Sequence, residues 1–219
     1  MASKLTKVIV ADDHGIVRRG IINIIRENWG AINILQAETF EQALFHLHKP
    51  ADLLILDINM PGGNKVGMLE IVKKLQHTIK ILMFSSYDEQ MFALRYIQAG
   101  ANGYLNKNSD ELDIVKAIQT VMDGRKYVSQ EMKDSLLDLH FNNNEHGLNP
   151  LSVLSNRELE VALHLSKGMG VLEISKMMDL RMGTISTFKA RTFEKLGVKS
   201  IVELAEKFKL YSSFSNSIS

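Results

Sequence analysis

The sequence contains no cysteine among its 219 residues. That absence excludes a disulfide framework, a cysteine-ligated zinc site and a thiol nucleophile together, and it fits a reducing compartment. No stretch approaches the roughly 18 consecutive apolar residues of a membrane span: the first apolar run, Val8 to Ala11, is stopped by Asp12 and Asp13. No secretory leader is recognisable either, so the expected location is cytoplasmic, away from membranes. An excess of charge is missing as well, with 26 Lys+Arg against 25 Asp+Glu. There is no internal repeat. With 45% hydrophobic and 23% charged residues, disorder and collagen-like repeats are excluded, and the length suits one large domain or a medium domain followed by a small one.

The charges are unevenly distributed along the chain. Residues 1 to 149 carry 16 Lys+Arg and 18 Asp+Glu, and residues 150 to 219 carry 10 and 7. A basic C-terminal part facing nucleic acid and ordinary surface variation both account for this split.

Short β-rich apolar runs recur at Val8 to Ala11, Ile32 to Ala37, Leu53 to Leu56, Ile81 to Phe84 and Gly103 to Leu105. Between them lie helical periods, such as Ile21, Ile24 and Ile25, and later Leu112, Val115 and Ile118. Thr39 with Gln42 reads as a capping box, and Ser109-Asp110-Glu111 as a helix start. Strand and helix alternating five times predict an α/β fold, a doubly wound parallel sheet covered on both faces. After Asp123 and Gly124 the pattern loosens, and residues 141 to 150 are polar, aperiodic and closed by Pro150. Residues 125 to 150 are therefore expected to form a linker. From Leu151 only helical periodicity remains, and residues 213 to 219 are expected to form a flexible tail.

In a doubly wound sheet, ligands bind where the loops at the carboxyl ends of the strands converge. The polar residues fall in those loops: Asp12 and Asp13 after the first strand, Asp57 after the third, Ser85 and Ser86 after the fourth, and Lys107 after the fifth. Three carboxylates so close repel one another, and a hard cation of the magnesium type relieves the repulsion through oxygen ligands. Asp57 can then attack an electrophilic phosphoryl group while the cation and the Lys107 ammonium neutralise its oxygens, giving an aspartyl phosphate. Ser85 is placed to donate to that phosphoryl group, and its displacement opens room for an aromatic ring, for which Tyr104 is the candidate. Singly, these residues read as a solvated turn, a strand-end cap, a strand aromatic and a surface lysine. Their joint placement at the ends of one sheet favours the chemical reading.

Four motifs, Val-Ala-Asp-Asp-His at 10 to 14, Leu-Asp-Ile-Asn-Met-Pro at 56 to 61, Phe-Ser-Ser at 84 to 86 and Gly-Ala-Asn-Gly-Tyr-Leu-Asn-Lys at 100 to 107, resemble those of the receiver domain of two-component response regulators, the CheY-like (flavodoxin-like) five-stranded fold. The resemblance covers roughly residues 5 to 124 and implies a receiver over 1 to 124. It implies Asp57 as phosphoacceptor, Asp13 and Asp57 as direct magnesium ligands, Asp12 as a partner through water and the backbone carbonyl of Asn59 as a further ligand. Ser85 and Tyr104 would be the switch pair, and Lys107 the phosphate-binding base. Two departures stand out. Pro61-Gly-Gly-Asn-Lys-Val-Gly67 has five residues between proline and glycine where about three are usual, and Asn108 replaces the proline that commonly follows the lysine, so a trans peptide is expected there.

In the C-terminal part, Ser155-Asn-Arg-Glu158 is a capping box opening a helix with Leu159, Ala162, Leu163 and Leu165 on its apolar face. A second helix follows Gly170 with Ile174, Met177 and Met178 inward. A third begins near Met182, buries Ile185, Phe188, Thr192 and Leu196, stops at Gly197, and turns Ser186, Thr187, Lys189, Ala190 and Arg191 outward. Small polar and cationic side chains on the last helix suit a major groove, while periodicity alone equally fits the wet face of a small bundle. The motifs Leu-Ser-Asn-Arg-Glu-Leu-Glu-Val at 154 to 161, Ser-Lys-Gly at 166 to 168, Glu-Ile-Ser at 173 to 175, Thr-Ile-Ser-Thr-Phe-Lys at 184 to 189 and Glu-Lys-Leu-Gly-Val at 194 to 198 resemble the LuxR-type helix-turn-helix of the NarL/FixJ response regulators. This resemblance implies a small all-α domain over 151 to 212 that binds DNA through Thr184, Ser186, Thr187, Lys189, Ala190 and Arg191. Arg181 and Gly170 stand where small polar caps are usual, which predicts weaker helix starts.

The expected protein is thus a transcription regulator phosphorylated on Asp57 by a sensor histidine kinase or a small phosphodonor, with magnesium, acting as a homodimer on a promoter and not as an enzyme. Two other readings compete: a magnesium-dependent phosphohydrolase, against which position 59 offers Asn and not a second carboxylate, and a signalling adaptor binding protein or RNA.

Overall fold

The computed structural model describes residues 5–63, 65–141 and 150–213. It divides into two compact units, Met1–Leu136 and Leu137–Ser219. Among the described residues no helix is long and apolar enough to cross a membrane.

The first unit is a five-stranded parallel sheet of order β2-β1-β3-β4-β5. Its strands are β1 (Lys7–Ala11), β2 (Asn33–Ala37), β3 (Leu53–Asp57), β4 (Lys80–Ser85) and β5 (Gly103–Asn106), each within two residues of the apolar run that foretold it. Every residue of β3 is buried, as a central strand covered on both faces requires. Helices α1 (Gly15–Trp29), α2 (Phe40–His46), α3 (Lys65–Leu75), α4 (Glu89–Gln98) and α5 (Glu111–Met122) follow the strands in turn. Ile21, Ile22 and Ile25 of α1 and Ile114, Ala117, Ile118 and Val121 of α5 join Val8, Val10, Leu53, Ile55, Leu82, Phe84 and Leu105 in one core cluster. Each large aliphatic side chain so buried contributes about 1.5–3 kcal/mol.

Local starts deviate instructively from the expected ones. Thr39 caps α2 by accepting from the Gln42 N–H at 3.2 Å, but the Gln42 side chain reaches the Glu38 N–H at 2.8 Å, one residue before the reciprocal partner of a capping box. The helix start expected at Ser109-Asp110-Glu111 is where α5 begins, with Asp110 as its cap. On α5 Leu112 is 79% exposed: the inward stripe runs through Ile114 and Ile118, one residue pair removed from the expected Leu112-Val115-Ile118 series.

Residues 125 to 141, expected within a linker, carry ordered structure. Tyr127 forms a parallel bridge to Gly103, and its carbonyl accepts the Tyr104 N–H at 2.9 Å. Ser129 caps α6 (Gln130–Phe141), accepting the Met132 N–H, while its own N–H donates to Glu89 of α4 at 2.8 Å. The boundary between the two units falls inside α6. Of the expected linker and tail, residues 142–149 and 214–219 lie outside the described residues.

The second unit begins with a 3-10 turn (Pro150–Val153), then α7 (Asn156–Ser166), α8 (Val171–Met177), α9 (Met182–Leu196) and α10 (Ile201–Ser213). Leu159, Val161, Ala162, Ile174, Ile185, Leu196, Leu204 and Phe208 form its interior. The Ser155/Glu158 capping box at the head of α7 is complete in both directions. Met177, expected inward, is 50% exposed, because seven-residue α8 turns Ile174 and Ser175 inward instead.

Candidate functional site

The site is built where parallel strands end beside the switch in strand order between β1 and β3. Asp12 follows β1, Asp57 closes β3, and both are only 2% exposed, whereas Asp13 reaches outward. Asp12, Asp13, His14 and Asp57 each offer a ligand atom, and these atoms all lie within 4.8 Å of one another. Lys107, one residue beyond β5, is fixed by its N–H donating to the Ser85 carbonyl at 2.8 Å. Its ammonium lies 2.7 Å from Asp12 Oδ2 and 3.1 Å from Asp57 Oδ2.

The electrostatics of this group are unbalanced. Burial pushes the Asp57 carboxyl above its usual range; Lys107 opposes that, the neighbouring Asp12 charge adds to it, and the Asn59 N–H bond lowers it slightly. Asp12 Oδ2 is buried and, despite the nearby ammonium, has no hydrogen-bond partner of acceptable geometry. Three carboxylates, one imidazole and a single lysine leave net negative charge and an unsatisfied buried oxygen. That donor set fits a hard divalent cation. His14 was not among the sequence candidates. Its Nδ1 is 2.6 Å from Asp13 Oδ1, and its position two residues after Asp12, at the head of α1, was the signal available.

Ser85 is buried at the end of β4, and its hydroxyl accepts the Tyr87 N–H at 3.1 Å. The fully buried ring of Tyr104 points inward, and its hydroxyl donates to the Tyr87 carbonyl at 3.1 Å, which Asn106 Nδ2 also reaches at 3.2 Å. Burial pushes the Tyr104 hydroxyl far up, so it stays a neutral donor. Tyr87, also missed from sequence, binds both Ser85 and Tyr104 through its backbone, beside the direct side-chain hydrogen bond between those two residues. Its ring stacks on Phe92 at 4.9 Å, and its hydroxyl donates to the exposed Asn59 side chain at 3.2 Å.

The long loop after β3 is specified by glycine. A Cβ on Gly63 would lie 2.3 Å from Met68 Sδ and 3.1 Å from the Met60 carbonyl, so any larger residue there requires the buried Met68 side chain to shift. The peptide after Lys107 is trans, and no cis peptide occurs among the described residues.

In the second unit, Ser186, Thr187, Ala190 and Arg191 lie exposed on α9, with Thr184 and Lys189 half-buried beside them. Thr187 turns its hydroxyl back onto the Gly183 carbonyl at 2.9 Å, and the Lys189 ammonium lies 5.4 Å from the centre of the Phe193 ring. Phe188 is half-buried; Ile185, Thr192 and Leu196 are buried. Arg181 makes no side-chain cap to α9, and Gly170 has none to offer α8, although Glu173 takes the Gly170 N–H at 2.7 Å. The helix is held from behind by Glu158 of α7, which accepts from Lys195 at 2.6 Å, and by Thr192, whose hydroxyl donates to the Glu158 carbonyl at 3.4 Å.

Comparison with known proteins places both units. Residues 8–119 match the family described as response regulator receiver domain, and residues 152–208 match bacterial regulatory proteins, luxR family. The chain is 34% identical over 209 residues to Fimbriae Z protein of Escherichia coli K12, covering 95% of this chain and 98% of that one. It is 35% identical over 206 residues to the response regulator GacA of Pseudomonas aeruginosa, covering 92% and 94%. Among solved structures, RcsB of Salmonella enterica serovar Typhimurium, bound to promoter P1flhDC with the phosphomimetic BeF3−, shares the fold with a TM-score of 0.62 at 23% identity over 94% of this chain and 98% of that one. With both units matched in this order and relatives aligned over nearly the whole length, the chain belongs to the NarL/FixJ family of two-component response regulators, a receiver domain followed by a LuxR-type helix-turn-helix domain.

Proposed function

We propose that this response regulator controls transcription by accepting a phosphoryl group on Asp57 from a sensor histidine kinase or a small acyl phosphate. The observation that carries the reading is the pairing of a buried, charge-strained Asp57 with Lys107 Nζ 3.1 Å away at the strand ends. The Asp57 carboxylate attacks phosphorus, the donor's bond to phosphorus breaks, and the donor leaves with the electron pair. The Lys107 ammonium compensates charge gathering on the phosphoryl oxygens.

Asp13 and Asp57 directly, Asp12 through water and the Asn59 carbonyl would hold a magnesium ion. When bound, it supplies Lewis-acid neutralisation of phosphoryl oxygens. Asn59 provides no carboxylate to act as acid or base two residues after Asp57, and its side chain is engaged by Tyr87, which favours a switch over a turnover hydrolase.

Phosphorylation turns one carboxylate charge into roughly two, with strong acceptor oxygens. The Ser85 hydroxyl donates to one of them and draws the 85–87 segment with it. Tyr104 and Asn106 both hold the Tyr87 carbonyl and the Tyr87 ring stacks on Phe92 of α4, so β5 and α4 register that shift. The α9 face bearing Thr184, Ser186, Thr187, Lys189, Ala190 and Arg191 enters the major groove of promoter DNA, with two copies on a two-fold site, in the cytoplasm. Incubation with acetyl phosphate and magnesium, read on a phosphate-affinity gel, tests the acceptor. One shifted species is expected for the wild type and none for Asp57→Asn or after metal removal; a shift persisting in Asp57→Asn overturns the assignment.

A further inference from the structure

Arg18 of α1 has a solvent-excluded side chain, 8% exposed, although it lies one turn from the acidic site. A guanidinium is expensive to bury unless it is used, and a merely packing residue here would be apolar. Its two used nitrogens have specific targets. Nη1 donates to the backbone carbonyl of Asp12 at 2.7 Å, and Nη2 pairs with the Glu38 carboxylate in the β2–α2 loop. On the other side of the same residue, the Asp12 N–H donates to the Ala37 carbonyl at 3.1 Å, and Ala37 immediately precedes Glu38. The Asp12 backbone is thus gripped from both sides by the end of β2, directly through its N–H and by way of Arg18 through its carbonyl. Asp12 Oδ1 is also spent, accepting the His14 N–H at 2.8 Å, which aims Oδ2 at the shared space with Asp57 and Lys107.

We infer that Arg18 is a positioning residue for cation binding: clamped by Glu38, its guanidinium fixes the Asp12 peptide and so holds the Asp12–Asp13 carboxylates at the spacing a divalent cation requires. Glu38 cancels the guanidinium charge, so the clamp orients the acidic pair without repelling the cation. Partners one layer behind the ligands set metal affinity by such orientation, and their loss typically weakens it 10–100-fold. The inference rests on the proposed magnesium-dependent phosphorylation of Asp57.

The test uses full-length protein and isothermal titration of magnesium into wild type, Arg18→Met, Arg18→Lys and Glu38→Gln, with acetyl phosphate phosphorylation rates measured across magnesium concentration. The expected result is a magnesium Kd raised about tenfold in Arg18→Met, with the phosphorylation rate at saturating magnesium within about twofold of wild type. Arg18→Lys keeps one donor for the Asp12 carbonyl and recovers part of the affinity. Glu38→Gln, a change at an exposed side chain, loosens the clamp without disturbing the fold and shows a Kd shift of about threefold, on the order expected for losing half of the clamp. Should Arg18→Met not fold, the Glu38→Gln titration decides. Unchanged or tighter magnesium binding in the folded variants overturns the positioning role while leaving the phosphorylation reading intact. A wild type that neither binds magnesium nor accepts phosphate overturns both.

Discussion

Each unit buries a carboxylate against a lysine ammonium: Asp57 faces Lys107 at 3.1 Å in the receiver, and Glu158 faces Lys195 at 2.6 Å in the helix-turn-helix domain. Burial pushes both carboxyls up. For Asp57 that push, joined by the Asp12 charge, prevails, and the carboxyl ends above its usual range. For Glu158 it is outweighed by hydrogen bonds from Lys195 and from the Ser155 backbone and by its cap partner Ser155, and the carboxyl ends below its usual range. Glu158 completes a capping box and braces α9; Asp57 shares its lysine with a second carboxylate whose Oδ2 lacks a hydrogen bond. A buried acid with all its partners is scaffolding, and a crowded one short of partners is poised for a ligand or a reaction.

The sharpest way to break that contrast is to neutralise each acid. Asp57→Asn is expected to lose phosphorylation entirely yet leave the metal-free receiver no less stable, read from the denaturation midpoint of the sole tryptophan, Trp29, which reports this unit alone. Glu158→Gln is expected to do the reverse: leave phosphorylation unchanged and destabilise the second unit by about 1–3 kcal/mol, seen as faster amide exchange in α7 and α9.

The pH dependence follows from the same acid. Because the folded-state pKa of Glu158 is depressed, its stabilising contribution is complete above the unfolded value of about 4.3 and is lost as pH falls through the lower folded value. Amide protection in α9 should therefore drop on acidification below that range in the wild type, and this drop should be shallower in Glu158→Gln. Within the receiver, Glu89→Ala removes the acceptor of the Ser129 N–H and is expected to cost the start of α6 about 1 kcal/mol, with faster exchange at Ser129 and Met132 and none at α1. The smallest effect is a gain: Arg181→Ser supplies the cap α9 lacks and should stabilise the second unit by about 0.5–1 kcal/mol, by urea denaturation, with no tightening on DNA.

β1, β3 and β4 were legible because buried parallel strands read as apolar runs, β2 kept only a partly apolar edge-strand pattern, and Asp12, Asp57, Ser85 and Lys107 could be placed at strand ends from spacing alone. Helices closed by local polar signals were harder. α10 went unnamed although Ser200 caps it through the Glu203 N–H, with Glu203 reaching back to the Lys199 N–H in place of the Ser200 N–H. α6 is hard to read because its polar sequence surrounds the buried Met132 and because the Ser129 that caps it is held by Glu89, forty residues away. Arg18 and Tyr87 escaped for a different reason. Their roles lie in bonds to distant backbone carbonyls and neighbouring loops, which no residue type or spacing announces. Met177 looked inward by period, but a helix of two turns has room to bury only its middle residues.

The central claim joins the two units: charge placed on Asp57 changes what α9 does with DNA. The most direct measurement is retention of a duplex pool by full-length protein, before and after acetyl phosphate and magnesium, for wild type and Asp57→Asn. Retention should rise on phosphorylation in the wild type only, and fall steeply with added salt as Lys and Arg contacts release counterions. Equal retention before and after treatment, or an equal rise in Asp57→Asn, contradicts the account.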